Sequence, residues 1–499
     1  MNGAVVAIDA GTTGVRSYLV DHAGATLRSA YRPFPQYFPR PGWVEQDPNE
    51  IWAAVLSTLA AVMVGEPLPL AAVGITNQRE TVVAWSRSTG AALAPAIVWQ
   101  DRRTAAFCDS LVAEGHLSRV RELTGLVLDP YFSATKIHWW ITNAVIDHHD
   151  PDLALGTIDS WLIWKLTGGQ AFVTDPSNAS RTLLFDIGTL AWSAELAELF
   201  HVPLQTLADV VPSSGVAAHT ASGASPLPAG LPIAGIAGDQ QAALFGQRCF
   251  EIGMAKNTYG TGSFVLMNVG PACPPLVDGL LTTVGWTLAD GSTTYAYEGA
   301  IFITGAAVEW LRDGLGIIKH ASELEALAAS VPDSGGVFFV PAFTGLGSPW
   351  WDPYARGTIV GLTRGSGRGE LARAAIDAMV LQTRDVVEAM TAASGQALRE
   401  LRVDGGAAVM DLMLQLQADQ LGVAVSRPAH IESTVLGAAG LAGLGVNLWS
   451  GLDELAASWQ AERTFRPRAD RTESDSMFQS WRRAVQRSRR WAVEETNAG

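Results

Sequence analysis

Two stretches of this chain follow one plan, and that plan limits the folds open to it. Ala4-Val-Val-Ala-Ile-Asp9 is an apolar run closed by a carboxylate. Gly11-Thr-Thr-Gly14 is a turn of small residues, and Val15 to Val20 returns with partial alternation. In the second half, Asn257-Thr-Tyr-Gly-Thr-Gly262-Ser leads into Phe264-Val-Leu-Met267 in the same way. An apolar run, a glycine turn and a second apolar run specify a buried strand, a tight return and its partner strand. One such hairpin in each half predicts an α/β protein of two related domains facing a cleft.

Length agrees with this division. At 499 residues the chain exceeds the size at which a single core stops growing, and 48% hydrophobic residues suffice for two. The boundary is expected near Gly246, giving spans 1–246 and 247–499, although no linker composition marks it. Ser334-Gly-Gly-Val-Phe-Phe-Val340 reads as a strand. Leu401-Arg-Val-Asp-Gly-Gly406 reads as a strand entering a glycine turn, followed by a helix through Leu412, Leu416 and Leu421. Residues 371–390 read as a helix with Ile376, Val380, Thr383 and Val387 on one face. A terminal amphipathic helix is expected around Phe478, Trp481 and Val485, with Arg482, Arg483, Arg487, Arg489 and Arg490 as its solvated side.

Several function classes are excluded early. A net charge of −15 opposes a dedicated nucleic-acid binder. Met1-Asn-Gly-Ala lacks a basic leader and Asp9 interrupts the first apolar run, so no signal peptide is expected. No apolar stretch reaches the length of a membrane span. The three cysteines, Cys108, Cys249 and Cys273, show no metal or redox spacing and fit a reducing cytoplasm.

The polar residues then suggest a chemistry. Glycines let a backbone approach a phosphate closely, and successive amides with threonine hydroxyls can donate to it. In Asp9-Ala-Gly11-Thr-Thr-Gly14-Val-Arg16 the arginine adds a charged fork, and Asp9 is placed to hold a Mg²⁺-bound water. An ordinary glycine hairpin would look similar. The second turn at 258–262 and the strand-to-glycine turn at 404–406 favour three nucleotide-facing loops, with no Walker A or protein-kinase motif. Ile236-Ala-Gly-Asp239-Gln-Gln-Ala places one carboxylate at a strand end, suited to orienting an attacking oxygen. At its ordinary pKa of about 3.9 such an aspartate is a weak base, tolerable where positioning dominates. Ile75-Thr-Asn-Gln-Arg79-Glu80-Thr offers alternating donors and acceptors for a polyhydroxylated ligand, or else merely a surface Arg–Glu pair. Trp99 reads either as core or as a wall for the carbon face of a polyol.

Together these motifs resemble the glycerol kinases of the FGGY carbohydrate kinase family, nearly end to end. The carrying segments are Asp9-Ala-Gly-Thr-Thr, Pro41-Gly-Trp-Val-Glu-Gln-Asp-Pro, Gly74-Ile-Thr-Asn-Gln-Arg-Glu-Thr, Asp129-Pro-Tyr-Phe-Ser-Ala-Thr-Lys136 and Asn178-Ala-Ser-Arg-Thr. They continue with Gly238-Asp-Gln-Gln-Ala-Ala-Leu-Phe-Gly, Met254-Ala-Lys-Asn-Thr-Tyr-Gly-Thr-Gly, Pro341-Ala-Phe-Thr-Gly-Leu-Gly, Trp351-Asp-Pro-Tyr-Ala-Arg-Gly and Gly357-Thr-Ile-Val-Gly-Leu-Thr-Arg. Arg79-Glu80 with Asp129-Pro-Tyr131 resembles glycerol kinases more than pentulose or gluconate kinases.

The resemblance implies two actin-like, ribonuclease H-like ATPase domains around a central cleft, the first for glycerol and phosphate and the second for nucleotide. It implies ATP- and Mg²⁺-dependent phosphorylation of glycerol to sn-glycerol 3-phosphate, the first step of glycerol catabolism, by a homo-oligomer (dimer or tetramer). Asp239 matches the base. Arg79, Glu80, Tyr131, Asp239 and Gln240 match positions that hold glycerol hydroxyls, and Trp99 and Phe264 the aromatic pair flanking its carbons. Thr12, Thr13, Gly14, Arg16, Thr261, Gly305 and Gly406 match nucleotide contacts, and Asp9 the metal position. Glu309 stands where a glutamine is usual near the adenosine, and Met410 where an asparagine is, so both nucleotide-side positions depart from the pattern. The rival readings are a family kinase for another polyol or ketose, and an ATP-driven module of actin or chaperone type. Pro228-Ala-Gly-Leu-Pro lacks the arginine of the family's fructose-1,6-bisphosphate loop. Weak or absent inhibition by that sugar is therefore expected, and a tight bisphosphate-dependent change of oligomeric state in light scattering would contradict it.

Overall fold

The first apolar run forms strand β1 (Ala4–Ala10), and the Gly/Thr turn returns it as β2 (Gly14–Val20). A computed structural model of the chain describes residues 3–65, 68–468 and 471–493. Met1 and Asn2, part of the reading of the N-terminus, lie outside the described residues. Strands β3 (Thr26–Pro33), β4 (Leu70–Asn77), β5 (Ser214–His219) and β6 (Pro232–Gly238) complete a six-stranded sheet in the order β5-β6-β4-β1-β2-β3. β1 runs antiparallel to β2 and parallel to β4, which runs parallel to β6.

The second half repeats the arrangement. Strands β7 (Met254–Tyr259), β8 (Ser263–Gly270), β9 (Leu281–Thr287), β10 (Thr293–Ile301), β11 (Glu400–Gly405), β12 (Ala424–Pro428) and β13 (Ala461–Phe465) form a sheet ordered β9-β10-β8-β7-β11-β12-β13. β7 is antiparallel to β8 and parallel to β11, as β1 is to β2 and β4. The expected α/β architecture with one glycine hairpin in each sheet is therefore present.

Burial on both faces explains why the first strand reads as unbroken apolar sequence. Val6 and Ile8 join a core with Ile51, Val55 and Leu59 of the helix Pro48–Val62. Val5 and Ala7 point the other way, into a core with Leu244 and Phe245 of the helix Asp239–Gly246 and Val435 and Leu441 of the helix Ser433–Gly445. That last helix comes late in the chain yet packs on β1, β4 and β6 of the first sheet. It approaches closely because small residues line the contact. A Cβ on Gly437 would collide with the Ala242 carbonyl oxygen, and one on Gly74 with that of Ala438.

Three expectations need adjusting. The helix read at 371–390 spans Arg368–Ser394, and from Ala372 to Val387 it is buried on all sides, not on one face. It lies between neighbouring helices and sheet, so its polar residues must be paired inside: Arg373 Nε meets Asp377 Oδ1 at 3.0 Å. The strand read at 334–340 shortens to Phe338–Val340, because Gly335 and Gly336 both take positive φ. The tail helix is Thr472–Ser488, with Phe478, Trp481 and Val485 buried; Arg482, Arg483, Arg487 and Arg490 are exposed, but Arg489 is only partly so. Among the described residues no helix is long and apolar enough to cross a membrane. Gly437→Ala is expected to lower stability by about 1–3 kcal/mol through overpacking, read as a reduced thermal unfolding midpoint.

Candidate active site

The first glycine turn is held from behind. Gly11 N–H donates to Gly14 O at 3.1 Å. Gln78 Nε2 donates to Gly11 O at 3.2 Å, and Gln46 Nε2 and Gln36 Nε2 donate to Thr12 O at 2.8 and 3.2 Å. With those carbonyls occupied, the polarity remaining to the turn is its N–H groups and the threonine hydroxyls, which suits an anion. Trp99 Nε1 donates to Thr12 Oγ1 at 3.0 Å while the Trp99 ring meets Tyr131 edge-on at 5.5 Å. One indole thus ties the phosphate-type turn to the polyol-type residues.

Those residues lie where β4 leaves the first sheet. Residues 78–81 lead from β4 into the strand Val82–Ser86 of a separate four-stranded sheet. The kink is made at Glu80, whose φ of 61° is uncommon for a side-chain-bearing residue, a strain of the kind that collects at working sites. Arg79 passes beneath Gly238, where a Cβ would meet its Cγ at 2.7 Å, and so reaches the start of the helix carrying Asp239. Its Nε lies 3.3 Å from Asp239 Oδ1, and its Nη2 donates to Tyr131 Oη at 3.1 Å.

A closed ring of buried charges surrounds that guanidinium. Arg79 Nη1 meets Glu298 Oε2 at 2.5 Å, and Arg181 Nη2 meets Glu298 Oε1 at 2.9 Å. Arg181 Nε meets Glu80 Oε1 at 2.7 Å, and Arg79 Nε lies 3.6 Å from the same oxygen. Lys256 Nζ, also buried, donates to Gln240 Oε1 and to Thr258 Oγ1. Glu298 and Lys256 were not anticipated. A lone acid inside the strand Thr293–Ile301 was the available signal, since such charges are buried only with partners. Arg181 stood unassigned in a motif already singled out.

Burial pushes the Asp239 carboxyl above its ordinary range, opposed by Arg79 and Lys256, so the expectation of an unperturbed aspartate is corrected. Its side chain is nevertheless 30% exposed. Burial, then repulsion from Asp239, pushes Asp9 up to about 7 against the pull of Arg16. Burial lowers Lys256 to about 8.

The remaining candidates fall into a second group. Gly260 N–H donates to Gly262 O at 2.7 Å, the counterpart of the first turn, and Thr261 O accepts from Thr304 and Ala306 N–H. Gly305 is forced by contact, since a Cβ would meet Gly260 O at 2.6 Å. Thr13, Arg16, Thr261 and Glu309 are exposed, Thr12 and Phe264 are part-buried, and Gly14 is buried. Gly406 opens onto free space. Met410 is buried in the core of the second sheet, so its side chain serves packing. Arg16 Nη1 meets Glu432 Oε2 at 3.3 Å, linking the first hairpin to the start of the late helix.

Two sheets of one plan, each presenting a glycine turn, with a carboxylate and a cluster of polar side chains at one strand end, suit a small-molecule phosphotransferase. The sequence matches the model of the FGGY family of carbohydrate kinases, N-terminal domain, over residues 4–246, and its C-terminal domain over residues 255–446. The chain belongs to that family. It is 54% identical to a glycerol kinase of Aromatoleum aromaticum, over 98% of this chain and 99% of that one. It is 51% identical to one of Deinococcus radiodurans, over 98% of each. The crystal structure of Plasmodium falciparum glycerol kinase with ADP superimposes with a TM-score of 0.93 at 33% identity, covering 98% of both chains. A gluconate kinase from Lactobacillus acidophilus shares the fold, with a TM-score of 0.86 at 21% identity over 97% of both. The fold is that of the actin-like ATPases.

The raised pKa of Asp9 carries a stability consequence. Its folded value near 7 lies above the unfolded value of about 3.9, so the native ligand-free chain holds the extra proton between those pH values. That contribution is complete below about pH 4 and is lost as pH rises through about 7. Asp9→Asn should therefore gain stability relative to wild type across that window in pH-dependent thermal unfolding, with the difference levelling off above it.

Proposed function

We propose that this chain transfers the γ-phosphoryl group of ATP to glycerol, giving sn-glycerol 3-phosphate. The observation that carries the reading is the convergence of Arg79, Glu80, Tyr131 and Asp239 beside the Thr12 turn, joined to it by Trp99. Donor and acceptor side chains that alternate around one point suit vicinal hydroxyls, and the cost of leaving such groups unpaired gives selectivity. Identity above 50% to glycerol kinases over nearly the whole chain supports the same substrate.

In this reading residues 1–246 hold glycerol and the phosphates, and residues 247–499 hold the rest of the nucleotide. Arg79, Glu80, Tyr131 and Gln240 orient the polyol, with Trp99 and Phe264 against its carbons. Asp239 takes the proton of the terminal hydroxyl as that oxygen bonds to the γ-phosphorus. The bond from phosphorus to the β–γ bridging oxygen breaks, and ADP leaves with the electron pair. A carboxyl raised by burial accepts that proton better than an ordinary one. Thr12, Thr13, Gly14 and Arg16 bind phosphate oxygens, and Thr261, Gly305, Glu309, Gly406 and the Met410 backbone line the nucleotide's far side.

Asp9 is a hard oxygen donor, and Asp239 acts on it strongly enough to raise its proton affinity, a concentration of negative charge that suits Mg²⁺. When bound, Mg²⁺ would neutralise charge on the phosphate oxygens; Asp9 is the residue that would hold it. The three cysteines are unpaired, in keeping with a cytoplasmic setting, and assembly as a dimer or tetramer belongs to the same reading.

The test is a panel of polyols and ketoses with ATP and product identification. Glycerol should give the highest kcat/KM, and preference for a ketose would overturn the assignment. Asp239→Asn should stay folded and lose about 10²–10⁴-fold in turnover in a coupled ADP assay. Near-normal glycerol-dependent activity would remove Asp239 from its role.

A further inference from the structure

Glu298 has no part in the scheme above, yet it is fully buried with a partner on each carboxylate oxygen. It lies on β10, in the second sheet, with its side chain fully buried. Oε2 accepts from Arg79 Nη1 at 2.5 Å, while Oε1 accepts from Arg79 Nη2 at 3.2 Å and Arg181 Nη2 at 2.9 Å. Burial alone would raise its pKa, but Arg181 and Arg79 outweigh burial and hold it at about 2. A buried carboxylate is costly unless paired and fully hydrogen-bonded, and this one is both.

The Arg79 fork is correspondingly spoken for. Nη1 also donates to Gln241 Oε1 at 3.2 Å, and Nη2 to Tyr131 Oη at 3.1 Å. Only the Nε edge faces Asp239, at 3.3 Å. Without Glu298 the nearest carboxylates left to this cation are Glu80 and Asp239. A guanidinium turned fully onto Asp239 would occupy the oxygens that must receive the hydroxyl proton. Arg181 lies on the far side, bridging Glu298 to Glu80 and packed over the rings of Tyr131 and Phe132 at 5.6 and 5.2 Å.

We infer that Glu298, backed by Arg181, is a positioning residue that locks the Arg79 fork, through which the Tyr131 hydroxyl is held for the polyol, and keeps that fork off Asp239. This rests on the proposed glycerol-binding role of Arg79. It also makes the polyol site a joint product of both halves: Arg79 and Glu80 lie just past the end of β4 in the first half, and the residue that aims Arg79 lies on β10 in the second.

Glu298→Gln keeps the shape of the side chain and removes its charge. KM for glycerol should rise about tenfold or more and kcat should fall, while KM for ATP stays within about twofold. A purely structural role would move both KM values together, and that outcome, or an unchanged glycerol KM in the folded variant, overturns the inference. Because Gln leaves two buried arginines short of one charge, Glu298→Asp is the second variant. It keeps the charge and withdraws the carboxylate by one methylene, so it should fold and raise glycerol KM severalfold without moving ATP KM; an unchanged glycerol KM there also overturns the role. Wild-type enzyme is assayed first, on the polyol it prefers. No turnover of any polyol overturns the functional reading, whereas normal wild-type turnover with unaltered variants overturns the positioning role alone.

Discussion

The guanidinium of Arg79 is the group on which the cleft depends. It stands where the two halves meet, with Glu298 of the second sheet on one side and Glu80, Tyr131 and Asp239 of the first half on the other. A buried arginine cannot shed its proton, so the fold must surround it with acceptors in the right directions. Here the requirement is met by a ring in which Arg79, Glu298, Arg181 and Glu80 alternate in sign. Such a ring adds little net stability over an apolar core of equal volume, because desolvation offsets attraction. What it provides is direction: each charge is held between two of the opposite sign.

The rest of the architecture brings that ring to the phosphate turns. Close contact between the late helix Ser433–Gly445 and the helix Asp239–Gly246 sets where Asp239 emerges. Glycine at 238 lets Arg79 run under the strand end, and Trp99 spans from Tyr131 to Thr12. The same small-residue contacts that hold the first core therefore fix the distance between the acid and the turn. Packing and chemistry are not separable here, since a shift of the helix moves the carboxylate.

Much of this was legible in the residue order. The paired hairpins, the strand at 401–405, the helix after Gly406 and the Arg79–Glu80 pair all rest on local pattern, which neighbours in sequence largely decide. The helix at 368–394 was less so. Its ends were approximated, but its burial on every side was not, because periodicity reports one apolar face and not what a third layer covers. Glu298 is the clearest case. An acid in an apolar strand announces that a partner exists, but the partner lies in the other half of the chain.

By itself the sequence determined the class of fold, the two glycine turns, the carboxylate at the strand end and the family. These depend on short stretches whose steric preferences act within a few residues. Only the tertiary structure decided that Glu298 pairs with Arg79, that Asp239 raises the proton affinity of Asp9, and that Met410 faces the core. Those outcomes depend on distance through space and on the exclusion of water, and neither quantity is written in the order of the residues.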